Sequence, residues 1–122
     1  MSVKVLKFGG SSLADADHFR KVADIVKSDP ARRYVVASAP GKRNDDDEKV
    51  TDLLYKCYEL TREGEDIDNI FVCIIRRYEK IIKDLGMDLS LEKEFHRIKM
   101  AILTVTKRCK EAIFLWIWIM RS

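Results

Sequence analysis

Cysteine is scarce in this chain of 122 residues, and the cysteines follow no metal-site or disulfide pattern. Cys57, Cys73 and Cys109 are unevenly spaced, and no Cys-x-x-Cys pair is present. This spacing argues against both a zinc site and a disulfide framework. Free thiols are typical of a reducing compartment, so the sequence predicts a cytoplasmic protein.

The chain also lacks a long apolar segment and a concentration of positive charge. Its densest apolar run, 112–120, has nine residues, whereas a membrane-spanning helix needs about 20. The start of the chain lacks the basic and apolar regions of a secretion signal. Its 23 lysines and arginines are spread along the chain, and the net charge is only +3. We therefore expect neither a membrane nor a nucleic acid as partner.

What the chain contains is the composition of a globular protein. Apolar residues make up 47% and charged residues 35%, which excludes a disordered chain. A length of 122 residues allows one small domain but is short for an enzyme with two substrates.

The most informative stretch is the first, where a short strand that begins at Val3 and has Lys7 at its end runs into Gly9-Gly10. Its β-branched residues favour a buried strand, and the glycines permit positive φ or close backbone approach. Ser11 and Ser12 are good N-caps for a helix predicted to begin near Leu13. Free N–H groups at a helix N-terminus, with Lys7 beside them, suit a phosphate. Neither GxGxxG nor GxxxxGK[ST] is present, so a plain turn stays an alternative.

A second strand is predicted over 34–39, after an amphipathic helix through Phe19 and Val26 that Asp29-Pro30 ends. The continuous apolar character of this strand favours burial on both faces of a parallel sheet. Strand, helix and strand then form a βαβ unit, whose ligands bind beyond the carboxyl ends of the strands. This places Lys7, Gly9, Gly10, Ser38 and Ala39 in one candidate site, although Ser38 can simply end its strand.

The loop 40–49 carries an acidic run that could suggest a metal site, but consecutive carboxylates rarely converge on one ion. We interpret it as a solvated flap over the site and predict no metal ligands. Helices are predicted from Val50 to about Glu63, where Thr51 can act as a cap, and from Ile67 to Leu85, closed by Gly86. A last helix, capped by Ser90, extends to about 102 with His96 exposed.

Three ordered motifs resemble the aspartokinases of the amino acid kinase superfamily: 7–15, 35–42 and 49–54. The resemblance implies an α/β fold, the N-terminal part of an amino acid kinase (carbamate kinase-like) α/β sandwich with a mostly parallel sheet and several helices. It implies transfer of the ATP γ-phosphoryl group to the side-chain carboxylate of L-aspartate, the first step of lysine, threonine and methionine biosynthesis. ATP is then the co-substrate with Mg2+, and full-length relatives are expected to be homo-oligomers.

The resemblance also implies roles for individual residues. Lys7 is expected to be catalytic and to bind the ATP phosphates together with Gly9, Gly10 and Ser11. Ser38, Ala39 and Thr51 are expected to bind the aspartate substrate.

The likeness covers 1–103, a partial amino acid kinase domain, and fails over 104–122, a hydrophobic tail. Aspartokinases carry a Ser-Arg-Gly-Glu segment at this point, whereas this chain has Thr106–Glu111 in a different context, so Glu111 is given no role. A truncated or frame-shifted reading frame would produce such a tail, and we expect the chain to be inactive alone. Two alternatives are another amino acid kinase and a non-catalytic module that binds a partner.

Overall fold

The computed structural model of the protein describes residues 2–104. These residues form a mixed α/β arrangement with one parallel sheet and four helices. The elements in order are β1 (Lys4–Phe8), a 3-10 turn (Gly10–Leu13), α1 (Ala16–Lys27), β2 (Arg32–Ala37), α2 (Val50–Arg62), α3 (Asp68–Asp84) and α4 (92–104).

The two strands pair in parallel across α1, so the predicted βαβ unit is confirmed. Lys4 is the partner of Arg32 and Phe8 is the partner of Ala37, with an irregularity between Lys4 and Val5. This pairing places β2 at 32–37, two residues earlier than predicted at each end. The strand includes the charged residue Arg32 because Lys4 of β1 pairs with it, and the strand ends at Ala37, the partner of Phe8, the last residue of β1.

The prediction that the strands are buried is wrong. Val5, Tyr34 and Val36 are 68%, 62% and 52% exposed, and the register places them on the same face of the sheet. Phe8, on the opposite face, is buried. Apolar strand residues show that a face can be covered, but only the packing of other elements decides whether it is. No described element covers the face of Val5, which we call the open sheet face.

The predicted start of α1 near Leu13 is also wrong. Ser11 and Ser12 lie inside the 3-10 turn, where the Ser12 N–H donates to the Gly9 carbonyl at 3.1 Å. Asp15 is the actual N-cap, and its carboxylate accepts from the His18 N–H at 2.9 Å. A carboxylate at an N-cap satisfies an otherwise unpaired helical N–H, which explains why the helix begins at Ala16.

The main hydrophobic cluster lies among α2, α3 and α4, whereas Phe8 is the one strand residue that is buried within 2–104. Tyr78 of α3 also contacts Phe95 of α4, with ring centroids 6.0 Å apart. The fully or nearly buried residues of this cluster are Val50, Leu53, Cys57, Ile67, Phe71, Ile74 and Phe95. These positions confirm that the apolar stripes of the predicted helices are core.

The end of α3 follows the prediction at Gly86. This glycine has φ +69°, and its N–H donates to the Lys83 carbonyl at 2.9 Å. The next N–H, of Met87, reaches back to the Ile82 carbonyl at 3.1 Å. The two bonds form a Schellman motif, in which glycine takes the left-handed conformation without a steric cost. The last helix begins at 92, where the Glu92 N–H lies 3.4 Å from the Ser90 hydroxyl, and His96 is exposed as predicted.

Residues 105–122 of the predicted tail, which include Glu111 and the apolar run at 112–120, lie outside the described residues. Helix α4 continues through 104, the first residue assigned to that tail. None of the helices within 2–104 has the length and apolarity to cross a bilayer.

Candidate functional site

The carboxyl ends of the two strands meet at one edge of the sheet, as parallel pairing requires. The Ser38 N–H donates to the Phe8 carbonyl at 3.1 Å, which continues the ladder one residue beyond β2. The Gly9-Gly10 turn follows β1 directly and Ala39 follows Ser38. The structure therefore brings the residues of the first two motifs together, as predicted from the sequence.

The close contact at this edge joins Gly10 to the root of the flap. The Gly41 N–H donates to the Gly10 carbonyl at 2.8 Å. A Cβ atom on Gly10 would lie 3.0 Å from the Ala39 carbonyl oxygen, and one on Gly41 would lie 2.6 Å from the Gly10 carbonyl carbon. Gly41 requires glycine because two backbones touch there, and Gly10 leaves little room for a larger residue. The sequence places Gly41 in the second motif and at the start of the flap, but gives no sign of this contact.

Neither Gly9 nor Gly10 has the positive φ that the sequence allowed. The only positive-φ glycines within 2–104 are Gly64 and Gly86, and Gly9 is extended with φ −75°. The turn nevertheless offers donors. The N–H groups of Gly9 and Gly10 make none of the loop hydrogen bonds among residues 2–104. Gly10 is the first residue of the 3-10 turn, so its N–H has no acceptor inside that turn. Because Gly9 is exposed, its N–H is open to a ligand anion.

The supporting dipole is weaker than predicted, because the turn leads into four residues of 3-10 helix and α1 begins only at Ala16. Lys7 is exposed and is the register partner of Val36, so its side chain leaves from the open sheet face. Its ammonium has no hydrogen bond or ion pair with any of residues 2–104. The cation beside the turn is thus free to pair with an anion.

The third motif reaches the same edge through the start of α2. The Val50 N–H donates to the Pro40 carbonyl at 3.0 Å, which ties the helix to the root of the flap. Thr51 is exposed in the first turn, whereas the N-cap position belongs to Lys49, which makes no side-chain cap bond. Thr51 therefore does not serve as the helix cap, and its hydroxyl is available for another partner.

The flap is more firmly held than a solvated loop. Asp47 accepts from Arg43 Nε at 2.7 Å and from Arg43 Nη2 at 3.0 Å, and its side chain is largely buried. The Arg43 side chain is the main reason why the pKa of Asp47 lies far below its usual range. Among residues 2–104, no three His, Cys, Asp or Glu side chains are grouped so that they could hold a metal ion.

Arg77 is a second residue whose contact the sequence prediction does not include. It lies within the helix predicted from Ile67 to Leu85, and its guanidinium reaches the carbonyl of Gly41 at 2.7 Å. The sequence does contain a sign of this burial. Arg77 lies three residues after Ile74 and four before Ile81, and this spacing places its cation on the core side of α3.

A cleft of about 1010 Å³ lies away from this edge, between α3 and α4, with Phe71, Ile75 and Phe95 among its lining residues. None of the predicted site residues lines it. The touching backbones and the unpaired N–H donors are found at the strand edge, which we therefore take as the candidate site.

Acid is expected to destabilise the fold through the carboxylates that are held by hydrogen bonds. The pKa of Asp47 is lowered mainly by Arg43, and the pKa of Asp15 is lowered mainly by the His18 backbone N–H. Folded-state pKa values below the unfolded value of about 3.9 stabilise the fold above that pH, and this stabilisation is lost as pH falls further. Urea unfolding at a series of pH values from 7 to 2 should show the decline below about pH 4.

Asp47→Asn should remove part of this pH dependence and cost about 2 kcal/mol at pH 7, because it breaks charge-assisted hydrogen bonds. Asp45→Asn is the matched control, since Asp45 is exposed on the same loop and has no ion pair within 2–104. Equal pH profiles for the two variants would contradict the role given to Asp47.

No family model matches the chain. It is 45% identical over 89 residues to aspartokinase 3 of Bacillus subtilis, covering 73% of this chain and 20% of the relative. It is 32% identical over 89 residues to the aspartokinase of Chlamydia muridarum, covering 72% of this chain and 18% of that one.

The chain is a homologue of the aspartokinases. It is also 30% identical over 125 residues to a bifunctional aspartokinase/homoserine dehydrogenase of Buchnera aphidicola, covering 91% of this chain and 14% of the relative. The chain thus spans about a fifth or less of the length of these curated relatives.

Solved aspartokinase structures confirm the fold. The aspartate kinase of Clostridium acetobutylicum superposes with a TM-score of 0.80 at 41% identity, over 85% of this chain and 24% of that one. Aspartokinase III of E. coli, solved with aspartate and ADP, gives 0.65 at 30% identity, over 88% of this chain and 22% of that one. The predicted amino acid kinase fold, with its parallel sheet and helices, is therefore correct.

Proposed function

We propose that this chain carries the phosphate-binding and aspartate-binding edge of an aspartate kinase. The reaction is transfer of the ATP γ-phosphoryl group to the side-chain carboxylate of L-aspartate. The observation that carries the proposal is the strand edge itself, where the free N–H donors of the Gly9-Gly10 turn adjoin the root of the flap. The aspartokinase relatives and the E. coli complex with aspartate and ADP support it.

The chemistry of phosphoryl transfer fits the groups at this edge. Catalysis depends on positioning and on stabilising the charge that spreads over the phosphoryl oxygens. The N–H groups of Gly9, Gly10 and Ser11 would donate to phosphate oxygens, and the unpaired Lys7 ammonium would balance the charge of the transferring group. Mg2+ bound with ATP would supply further charge neutralisation at those oxygens.

The acceptor substrate would lie on the other side of the same edge. Ser38 and Ala39 follow β2, and Thr51 joins them because Val50 is bonded to the Pro40 carbonyl. Their hydroxyl and backbone groups would orient the aspartate so that its side-chain carboxylate faces the phosphate. Because the chain spans about a fifth of its relatives, we propose that turnover needs the remaining part of such a kinase and that this chain alone binds ligands without transferring phosphate.

The proposal is tested by isothermal calorimetry of the chain with L-aspartate and with a non-hydrolysable ATP analogue that keeps the γ-phosphate. Lys7→Met should weaken binding of the analogue at least tenfold, since a charge-assisted hydrogen bond to phosphate contributes about 1.5 to 3 kcal/mol. Lys27→Met is the matched control, because Lys27 is exposed at the end of α1 and has no ion pair within 2–104. Equal affinities of the two variants for the analogue would refute the role of Lys7.

The two alternatives predict different titrations. Another amino acid kinase would bind a different acceptor, so glutamate in place of aspartate distinguishes it. A non-catalytic module would bind neither ADP nor aspartate, and the exposed apolar residues of the open sheet face favour this second candidate. An aspartyl-hydroxamate assay with ATP and magnesium reports any turnover by the chain itself.

A further inference from the structure

Arg77 is a charged residue in an apolar environment. It is only 5% exposed and lies on the side of α3 that carries the buried residues Ile74 and Ile81. Burial of an arginine disfavours folding unless the guanidinium is well paired. The hydrogen-bond partners of the guanidinium must therefore offset the cost of burying its charge.

The guanidinium contacts three backbone carbonyls that are distant in sequence. Nη1 donates to the Glu48 carbonyl at 2.8 Å. Nη2 donates to the Gly41 carbonyl at 2.7 Å and to the Ala14 carbonyl at 3.3 Å. A planar guanidinium with fixed donor directions can hold several acceptors at once, which a lysine ammonium does less well.

These carbonyls mark both boundaries of the candidate site. Ala14 directly follows the 3-10 turn that opens with Gly10, and Gly41 is bonded to the Gly10 carbonyl. Glu48 lies at the far end of the flap, two residues before α2 begins. One side chain thus connects the end of the Gly9-Gly10 turn to both ends of the flap.

A carboxylate completes the arrangement. Asp47 Oδ2 lies 3.3 Å from Arg77 Nη1 while it accepts from Arg43 Nε at 2.7 Å. Desolvation lowers the pKa of Arg77 and the charge of Asp47 opposes that effect. Since arginine ordinarily titrates above pH 12, the guanidinium stays charged. Arg77 Nε finds no acceptor within 2–104, so the buried side chain is held by its two Nη atoms.

We propose that Arg77 is a positioning residue that holds the flap and the Gly9-Gly10 turn at a fixed separation, so that both sides of the candidate site face one ligand. The ligand part of this inference rests on the proposed function, whereas the restraint on the flap does not. Without the guanidinium, the 41–48 backbone would lose its connection to α3, and the Gly41–Gly10 hydrogen bond would open more often.

The test is hydrogen exchange of Arg77→Met, which keeps an apolar stem of similar length but removes the guanidinium. The reporter amides are Gly41 and Val50, whose N–H groups are bonded to Gly10 and Pro40. We expect exchange there to accelerate at least tenfold more than at amides in the middle of α1. Arg76→Met, an exposed neighbour on the same helix, should change neither group of amides.

A merely structural role would accelerate exchange uniformly along the chain, and that result would overturn the proposal, as would unchanged exchange at Gly41. If Arg77→Met does not fold, Arg77→Lys decides the matter, because it keeps the charge but cannot reach three carbonyls. It should show intermediate, local acceleration, and wild-type protection at Gly41 would overturn the proposal.

Calorimetry with ADP and aspartate separates this inference from the proposed function. If the wild-type chain binds these ligands, Arg77→Met should weaken binding about tenfold, and unchanged affinity with an opened flap would overturn the connection to the ligand. If the wild-type chain binds neither, the proposed function fails, and hydrogen exchange still decides whether Arg77 restrains the flap.

Discussion

Gly41→Ala is expected to lower the free energy of unfolding by about 3 kcal/mol, the upper end of the range for an overpacked site. The added Cβ would lie 2.6 Å from the Gly10 carbonyl carbon and 2.8 Å from the Ser11 nitrogen. Both are backbone atoms and cannot rotate away, so the flap or the turn must shift. The Gly41–Gly10 hydrogen bond would break with that shift. Urea unfolding followed by circular dichroism measures the loss.

Gly9→Ala is the matched control for this prediction. Gly9 has an extended conformation with φ −75°, and a Cβ there would meet no atom within 4 Å. We expect its unfolding free energy to stay within about 0.5 kcal/mol of the wild type. Equal stability of the Gly41 and Gly9 variants would show that the two backbones do not touch.

Phe71→Ala is expected to be the most destabilising single change, by about 4 kcal/mol. Phe71 is 4% exposed and packs in the cluster between α2, α3 and α4. Its truncation removes apolar contacts and leaves a cavity that rigid helices can only partly fill. A loss of this size is a large fraction of the stability of a small domain, so the variant should unfold at much lower urea concentration.

Val72→Ala, one residue further along α3, is the control, because Val72 is 39% exposed. Its cost should stay below about 1 kcal/mol. Similar costs for the two truncations would mean that the helices do not pack around Phe71. The comparison also concerns the site, because Val50 belongs to the same cluster and its N–H is bonded to the Pro40 carbonyl at the root of the flap.

The helices were predictable because their signals are local. The spacing of Ile67, Phe71, Ile74 and Ile81 defines a helix by itself, and Gly86 ends it through its own backbone conformation. The pairing of β1 with β2 was predictable for a related reason. A strand, an amphipathic helix and a second strand in this order favour a parallel pair.

The predictions for the start of α1 and for the burial of the strands were wrong. The first depends on which of several nearby residues caps the helix, and the second on which elements pack against the sheet. Ser11, Ser12 and Asp15 are all good capping residues, and the 3-10 turn of Gly10–Leu13 leaves Asp15 to cap the helix. The apolar residues of β1 and β2 favour a covered sheet. No described element packs on Val5, Tyr34 or Val36, and strand composition cannot reveal that.

The sequence by itself determined the order of the elements, the parallel pair, the core stripe of α3 and the collection of the first two motifs at one edge of the sheet. Only the tertiary structure decided that Gly41 touches Gly10 and that Arg77 joins Ala14, Gly41 and Glu48. The physical reason is distance along the chain. Periodicity and turn chemistry report on residues a few positions apart, whereas these contacts join segments 29 to 63 residues apart.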